Sequence, residues 1–285
     1  MMLCTILEVV SAQALLCVGG AATPAAAGNE RDWDDCNADD PVRSLAACTR
    51  ILAGKNENNR ALAYYNRGYV YKIKGDLDRA IADYDKAIRL EPKAAAFYYD
   101  RGVAYHASGS VNRAIADYNK AIRLDPRSSQ AYRARGLAYL YGGAPVKALA
   151  DVSQASEIDP KNAYTALWVD IVGSRNNIAS RLPQAILKID MTAWPAPVIR
   201  MFLGEMMPAA VRAAADDPDA GKRQGQLCEA DFYSGELALR HGARGEMVRL
   251  FRLAASDCPQ DFEEWIAANA ELKVLGASRR TGSVP

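Results

Sequence analysis

The chain has 285 residues, 50% of them hydrophobic and 24% charged, which suffices for a substantial buried core in one large domain or two small ones. Lys and Arg number 35 against 34 Asp and Glu, so the formal charge is +1. That balance argues against a nucleic-acid binder, which would need a strong positive field.

The first 27 residues contain no Lys or Arg and one acid, Glu8. An apolar run from Val9 to Ala22 precedes Ala25-Ala26-Ala27. This pattern reads as a secretory signal cleaved after Ala27, although the usual positive start is missing. The run is too short and too rich in Ala and Gly for a good membrane-spanning helix. Cys17 raises the question of a lipid anchor, and Leu15 and Leu16 stand where bacterial lipoprotein signals carry small residues. Membrane contact is expected only through such an anchor. Removing the leader leaves Cys36, Cys48, Cys228 and Cys258. An even number with no CxxC points to disulfides in an oxidising compartment, and so to export. Residues 28–60 read as an N-terminal helical cap, with Leu45, Cys48 and Leu52 on one face of a helix over Arg43–Leu52.

Residues 61–160 repeat themselves. Arg79–Pro92 reads RAIADYDKAIRLEP and Arg113–Pro126 reads RAIADYNKAIRLDP, with an offset of 34 residues. The same offset links Gly68, Gly102 and Gly136. It also links Gly75, Gly109 and Gly143, then Tyr71, Tyr105 and Tyr139, then Ala80, Ala114 and Ala148, and finally Pro92, Pro126 and Pro160. With Tyr64, Tyr98 and Tyr132 at the fourth position and Tyr84 and Tyr118 at the twenty-fourth, this resembles the tetratricopeptide (TPR) family. The third repeat departs at that place with Val152. The resemblance implies an all-α solenoid of antiparallel helix hairpins. The small Gly and Ala stand where two helices cross closely, the second Gly ends the first helix, and Pro ends the second. One hairpin cannot bury its apolar faces alone, so neighbours stack.

Residues 161–227 lose the template and are expected to form two irregular helical hairpins. Trp194, Pro195 and Pro197 mark a turn into a helix with Ile199, Met201, Phe202 and Leu203. A second helix is expected over Met206–Ala215, and a polar loop over Asp216–Gly225. The template returns in divergent form at Cys228, with Gly235, Gly242, Phe251, Ala254 and Pro259 in their places. A closing helix over Phe262–Leu275 would pack Trp265, Ile266 and Leu272 inward. Residues 276–285 read as a flexible tail. In the last repeat Cys228 is position 1 and Cys258 position 31. An antiparallel hairpin brings these together, so Cys228–Cys258 is the natural bridge and Cys36–Cys48 the remaining local pair.

Cys228–Gly276, with FYSG at Phe232–Gly235, the LFRLAA helix from Leu250 and ELKVLG at the end, resembles periplasmic NlpI-like lipoprotein adaptors. The segment Trp194–Gly204 fits as well. The resemblance implies an outer-membrane TPR adaptor, often dimeric, that brings peptidoglycan hydrolases to a periplasmic protease. A homodimer is therefore one expectation.

Candidate chemistry is sparse. His106 sits at position 12 of the second repeat and could touch a ligand or be an ordinary imidazole; His241 reads as a C-terminal capping cation. No third ligand for zinc, no phosphate loop, no GxSxG and no HExxH is present, so no cofactor, metal or catalytic residue is expected. The acids at Asp32–Asp35, Asp39–Asp40 and Asp216–Asp219 read as loop and helix-start residues rather than glycosidase carboxylates. Met201–Met207 is either core or a plastic contact surface.

The inner surface of a TPR solenoid is lined by positions 2, 5, 9 and 12 of each first helix. Here these are Leu62, Tyr65, Tyr69 and Lys72, then Ala96, Tyr99, Val103 and His106, then Gln130, Arg133, Leu137 and Leu140. Tyr and Arg dominate the energetics of many interfaces. Tyr65, Tyr69, Lys72, Tyr99, Val103, His106, Arg133 and Leu137 are accordingly the candidate partner-binding groove. The Lys/Asn clamp of TPR co-chaperones is out of place, since Tyr65 and Tyr69 occupy those positions. The expected function is an exported scaffold, periplasmic and with other envelope proteins as partners. The alternatives are a structural subunit of an envelope complex without a peptide groove, and, least favoured, an enzyme with a site in residues 163–227. Each repeat also pairs Arg at position 7 (Arg67, Arg101, Arg135) with Asp at position 23 (Asp83, Asp117, Asp151), which predicts ion pairs between helices.

Overall fold

A computed structural model of the chain describes residues 24–38, 40–54, 59–260 and 262–276. Nearly all of the expected leader and residues 277–285 of the expected tail lie outside the described residues. Among the described residues there are fifteen helices and no strand. Helices α1 (Pro24–Cys36) and α2 (Pro41–Ala53) precede three hairpins. These are α3 (Arg60–Ile73) with α4 (Leu77–Leu90), α5 (Ala95–Ala107) with α6 (Val111–Leu124), and α7 (Ser129–Tyr141) with α8 (Pro145–Ile158). Helix α9 (Ala163–Arg175) stacks on α8. Helices α10 (Leu182–Ala185), α11 (Ala196–Phe202) and α12 (Pro208–Ala213) are short. A last hairpin, α13 (Ala220–Arg240) with α14 (Arg244–Asp257), is followed by α15 (Glu263–Val274).

Each repeat is built by the pattern that marked it in sequence. In α4 the buried residues Ala80, Tyr84, Ala87 and Ile88 form one stripe at helical spacing, and Ala114, Tyr118, Ala121 and Ile122 do the same in α6. The small residue of the first helix faces the large residue of the second. A Cβ at Gly102 would lie 2.7 Å from the Tyr118 ring, and one at Gly235 would lie 2.8 Å from Phe251. First helices end on a left-handed glycine: Gly75, Gly109 and Gly143 have φ of 75°, 78° and 79°. After α3, the Gly75 N–H donates to the Lys72 carbonyl and the Asp76 N–H to the Tyr71 carbonyl, closing the helix with a paired turn.

The central region differs from two hairpins. It holds one three-turn helix, α9, and three short ones. Pro183, Pro195, Pro197 and Pro208 all fall at helix starts, where proline fits, and Gly204 (φ 79°) turns the chain after α11. No partner helix of full length is left for α9. The expected loop at Asp216–Gly225 is also corrected. Asp219 accepts a hydrogen bond from the Lys222 N–H at 2.8 Å and starts α13 at Ala220, eight residues before the repeat register at Cys228. Met201 is buried in the core while Met207 is exposed, so the methionine stretch is divided between the two roles.

The disulfides join Cys36 to Cys48 and Cys228 to Cys258, with Cα separations of 4.8 and 4.9 Å. One continuous apolar core runs from Leu137 in the third repeat through Trp168 to Phe232, Phe251 and Leu272. The closing helix α15 belongs to this core through Ala267, Ala268 and Leu272. No helix among the described residues is long and apolar enough to cross a membrane.

Candidate functional site

The candidate groove residues stand on α3, α5 and α7, whose consecutive stacking the 34-residue period enforces. They come together, but not as an open surface. The Tyr65 hydroxyl donates to Asp100 Oδ2 at 2.7 Å, and its ring stacks on Phe97 with centroids 4.8 Å apart. Lys72 Nζ lies 2.7 Å from Asp100 Oδ1, and both side chains are buried. Asp100 is thus the hub of the inner face. It was not singled out in the sequence because it breaks the repeat: Asn66 and Ala134 occupy the same place in its neighbours.

Arg133 reaches away from its own repeat. Its guanidinium donates to Glu263 at 3.0–3.2 Å and to Thr165 Oγ1 at 3.2 Å. Glu263 begins α15, which therefore lies over the inner face. Val103, His106 and Leu137 meet Ile266 of α15 around a cavity of 70 Å³. Burial pushes the His106 imidazole down to about 4, so it is neutral at physiological pH. Beyond His106 a cleft of 520 Å³ opens between Val111, Tyr141, Trp265 and Lys273. At the other end Phe262 sits with Tyr69, Asn66 and Cys36 around a cleft of 490 Å³, and Gln260 covers Gly75.

Of the eight candidates, only Tyr69, 43% accessible, is exposed. Lys72, His106 and Leu137 are buried, and Tyr65, Tyr99, Val103 and Arg133 are half-buried. The candidate groove residues are thus mostly covered, in the middle by the chain's own C-terminal segment through Glu263 and Ile266. Sequence reading missed this because residues 133 and 263 are 130 apart and no local pattern announces their meeting.

The charges of positions 7 and 23 meet on the other side of the first helices. Arg67, Arg101 and Arg135 each grip the Asp of their own repeat with two nitrogens at 2.6–2.9 Å. The third nitrogen reaches back one repeat, to Asp85 at 2.6 Å from Arg101 and to Asn119 at 2.6 Å from Arg135. Every guanidinium is also flanked by two tyrosines of its own helix, as Arg101 is by Tyr98 and Tyr105 at 5.7 and 5.8 Å. Planar, bidentate pairing of this kind fixes geometry as well as charge.

Two further clusters lie beneath α15. Glu229 accepts hydrogen bonds from Trp194 Nε1 at 2.6 Å and from the Tyr164 hydroxyl at 3.0 Å. Glu264 accepts from the Tyr233 hydroxyl at 2.9 Å. Burial raises the pKa of both carboxyls; for Glu264 the charge of Glu229 adds to this, and for Glu229 the hydrogen bonds oppose it. Further along, Arg175 pairs with both Glu236 and Glu271 at 2.6 Å. Carboxylates from α15 thus enter the protein at Glu263, Glu264 and Glu271. His241 follows the last residue of α13 with its backbone N–H donating to the Leu237 and Leu239 carbonyls, and Asp40 caps α2 through its carboxylate.

Comparison with known proteins agrees with this architecture. The TPR repeat family model matches residues 68–109 and 104–141. A tetratricopeptide repeat protein from Parabacteroides merdae is 16% identical, with a TM-score of 0.53 over 87% of this chain and 98% of that one. MamA (residues 41 to the end) from Desulfovibrio magneticus RS-1 is 19% identical, with a TM-score of 0.50 over 57% of this chain and 92% of that one. At these identities the likeness is one of fold.

Proposed function

Because residues 68–141 match the TPR repeat model and the fold is a stack of helix hairpins, we propose that the chain's activity is recognition: it is a scaffold that holds other proteins against the inner face of α3, α5 and α7. The observation that carries this reading is that the inner face receives a helix, α15, through a charged anchor at Arg133 and an apolar seat between Val103 and Leu137. A TPR surface of this kind suits extended or helical segments. Two disulfides and the leader-like N-terminus support an exported protein working in an oxidising compartment, the periplasm. On the sequence resemblance of Cys228–Gly276 to NlpI-like adaptors, the proposal extends to partners of the envelope class, peptidoglycan hydrolases and a protease that receives them, and to a dimer.

A second reading, a structural subunit without a peptide groove, is favoured by one observation: α15 already fills the middle of the inner face. Capture from envelope extracts on the immobilised full chain separates the two. Leu62 and Tyr69, the large apolar residues exposed among the groove positions, are replaced by Ala. Surface changes of this kind move stability by about 0.5 kcal/mol or less. The scaffold reading expects a defined set of proteins on the wild type and its loss on the double variant at unchanged melting temperature. Retention of the same set, or of nothing above a blank column, overturns the groove and leaves the structural subunit.

A further inference from the structure

Helix α15 meets the inner face as a ligand would, and what holds it there is unusual for a capping helix. Its buried residues are Glu264, Ile266, Ala267, Ala268, Glu271 and Leu272. Two are alanines and two are glutamates, so acidic side chains share the buried face with Ile266 and Leu272, while Phe262, Trp265 and Leu275 pack at its edges. Glu264 and Glu271 are only 5% and 3% accessible, and desolvating them opposes docking. Specificity comes from named pairs instead. Glu263 lies on Arg133, Glu264 under the Tyr233 hydroxyl, and Glu271 on Arg175. Along a helix with a rise of about 1.5 Å per residue, Glu263 and Glu271 stand roughly 12 Å apart, which spans from α7 to α9. Ile266, one turn after Glu263, sits with Val103, His106 and Leu137. One cleft lies beside Tyr69 ahead of α15, and another runs along the side of α15 that carries Trp265, Asn269 and Lys273.

We infer that the inner face is a receptor for acidic amphipathic helices and that α15 is its resident occupant. A partner enters by replacing α15 with a helix of the same pattern: a carboxylate on Arg133, a branched apolar side chain one turn later between Val103 and Leu137, and a second carboxylate eight residues after the first on Arg175. This rests on the protein-recognition reading and names the chemistry of the partner. A partner helix would re-form the same pairs, and the tether of α15 gives it the advantage of high effective concentration over a free helix.

The test uses the full chain and a labelled synthetic peptide with the sequence Phe262–Gly276, followed by fluorescence anisotropy. The wild-type chain, whose groove is filled, binds the peptide weakly. In the variant Glu263→Lys the resident helix meets Arg133 with like charge, and the peptide binds about tenfold tighter. Arg133→Glu loses this binding, and a peptide carrying Glu263→Lys restores it. Circular dichroism and melting temperature establish that each variant is folded, and the milder Glu263→Gln moves in the same direction as Glu263→Lys. A peptide that binds none of the folded variants, or binds Arg133→Glu as well as the parent, overturns the inference. Envelope proteins that are still captured, and still lost with the Leu62 and Tyr69 changes, would show that recognition survives without this helix chemistry.

Discussion

The Cβ that would clash with Tyr118 at Gly102 has a counterpart in space at Gly245, where an added Cβ meets nothing within 4 Å. The two glycines lie in helices, so substitution by Ala separates packing from propensity. Gly102→Ala pushes a methyl group into a closed helix crossing and is expected to cost about 1–3 kcal/mol. Gly245→Ala removes backbone freedom at no steric cost and is expected to stabilise by roughly 0.5–1 kcal/mol. Thermal melting of the two variants checks both signs, at roughly 2–4 °C per kcal/mol for a chain of this size. The same reasoning revises what the groove tyrosines do. Tyr65, bonded to Asp100 and stacked on Phe97, and Tyr99, beside Tyr118 at 6.1 Å, hold the hairpins together, so their truncation lowers stability before it touches recognition.

Between elements, the Arg–Asp ladder and the buried acids do opposite work. Asp117 is held by two nitrogens of Arg101, whose third reaches Asp85 in the preceding repeat. Asp117→Ala leaves a largely buried guanidinium half-paired and is expected to cost about 3 kcal/mol, the lower end for breaking a buried pair. Melting of Asp117→Ala against the double variant with Arg101→Ala checks this, since coupled residues give a double loss smaller than the sum of the single ones. The acids beneath α15 are raised by burial, Glu264 from 4.5 to about 8 and Glu229 and Glu236 to about 7. The folded chain therefore holds protons that the unfolded chain releases. The stability this confers is complete below pH 4.5 and is lost as pH rises through 7 to 8. The melting temperature is expected to fall between pH 5.5 and pH 8.5, and Glu264→Gln is expected to flatten that fall. A wild-type melting temperature that rises over this interval contradicts the assignment.

The elements themselves were legible unevenly. The hairpins were readable because fourteen-residue stretches recur at a fixed offset. The ladder was readable because Arg67, Arg101 and Arg135 recur jointly with Asp83, Asp117 and Asp151. The short helices α10–α12 were not, because proline starts and a glycine turn cut the apolar periodicity into pieces of four to seven residues. The filling of the groove was not legible either. It is made by tertiary contacts such as Arg133–Glu263 and Gly75–Gln260, and a Glu at the start of a helix reads in sequence as a favourable dipole charge rather than as a ligand.

For the whole molecule, the stacked repeats curl far enough for the end of the chain to reach its beginning: Phe262 shares a cleft with Cys36 and Asn66, and Gln260 covers Gly75. The inner face proposed as the recognition surface is thereby covered by a helix four of whose six buried residues are alanine or glutamate. A solenoid opens locally where its contacts give way most easily, and the exchange inferred above requires that α15 be such a place. Hydrogen exchange of the full chain, read by mass spectrometry with and without the Phe262–Gly276 peptide, tests this most directly. The account expects the amides of α15 to exchange well before those of α13 and α14, and to lose protection further as the peptide is added while α3 to α8 stay unchanged. Exchange of α15 in step with α13 and α14, unaltered by saturating peptide, would make it a fixed part of the core and contradict a groove that takes partners in its place.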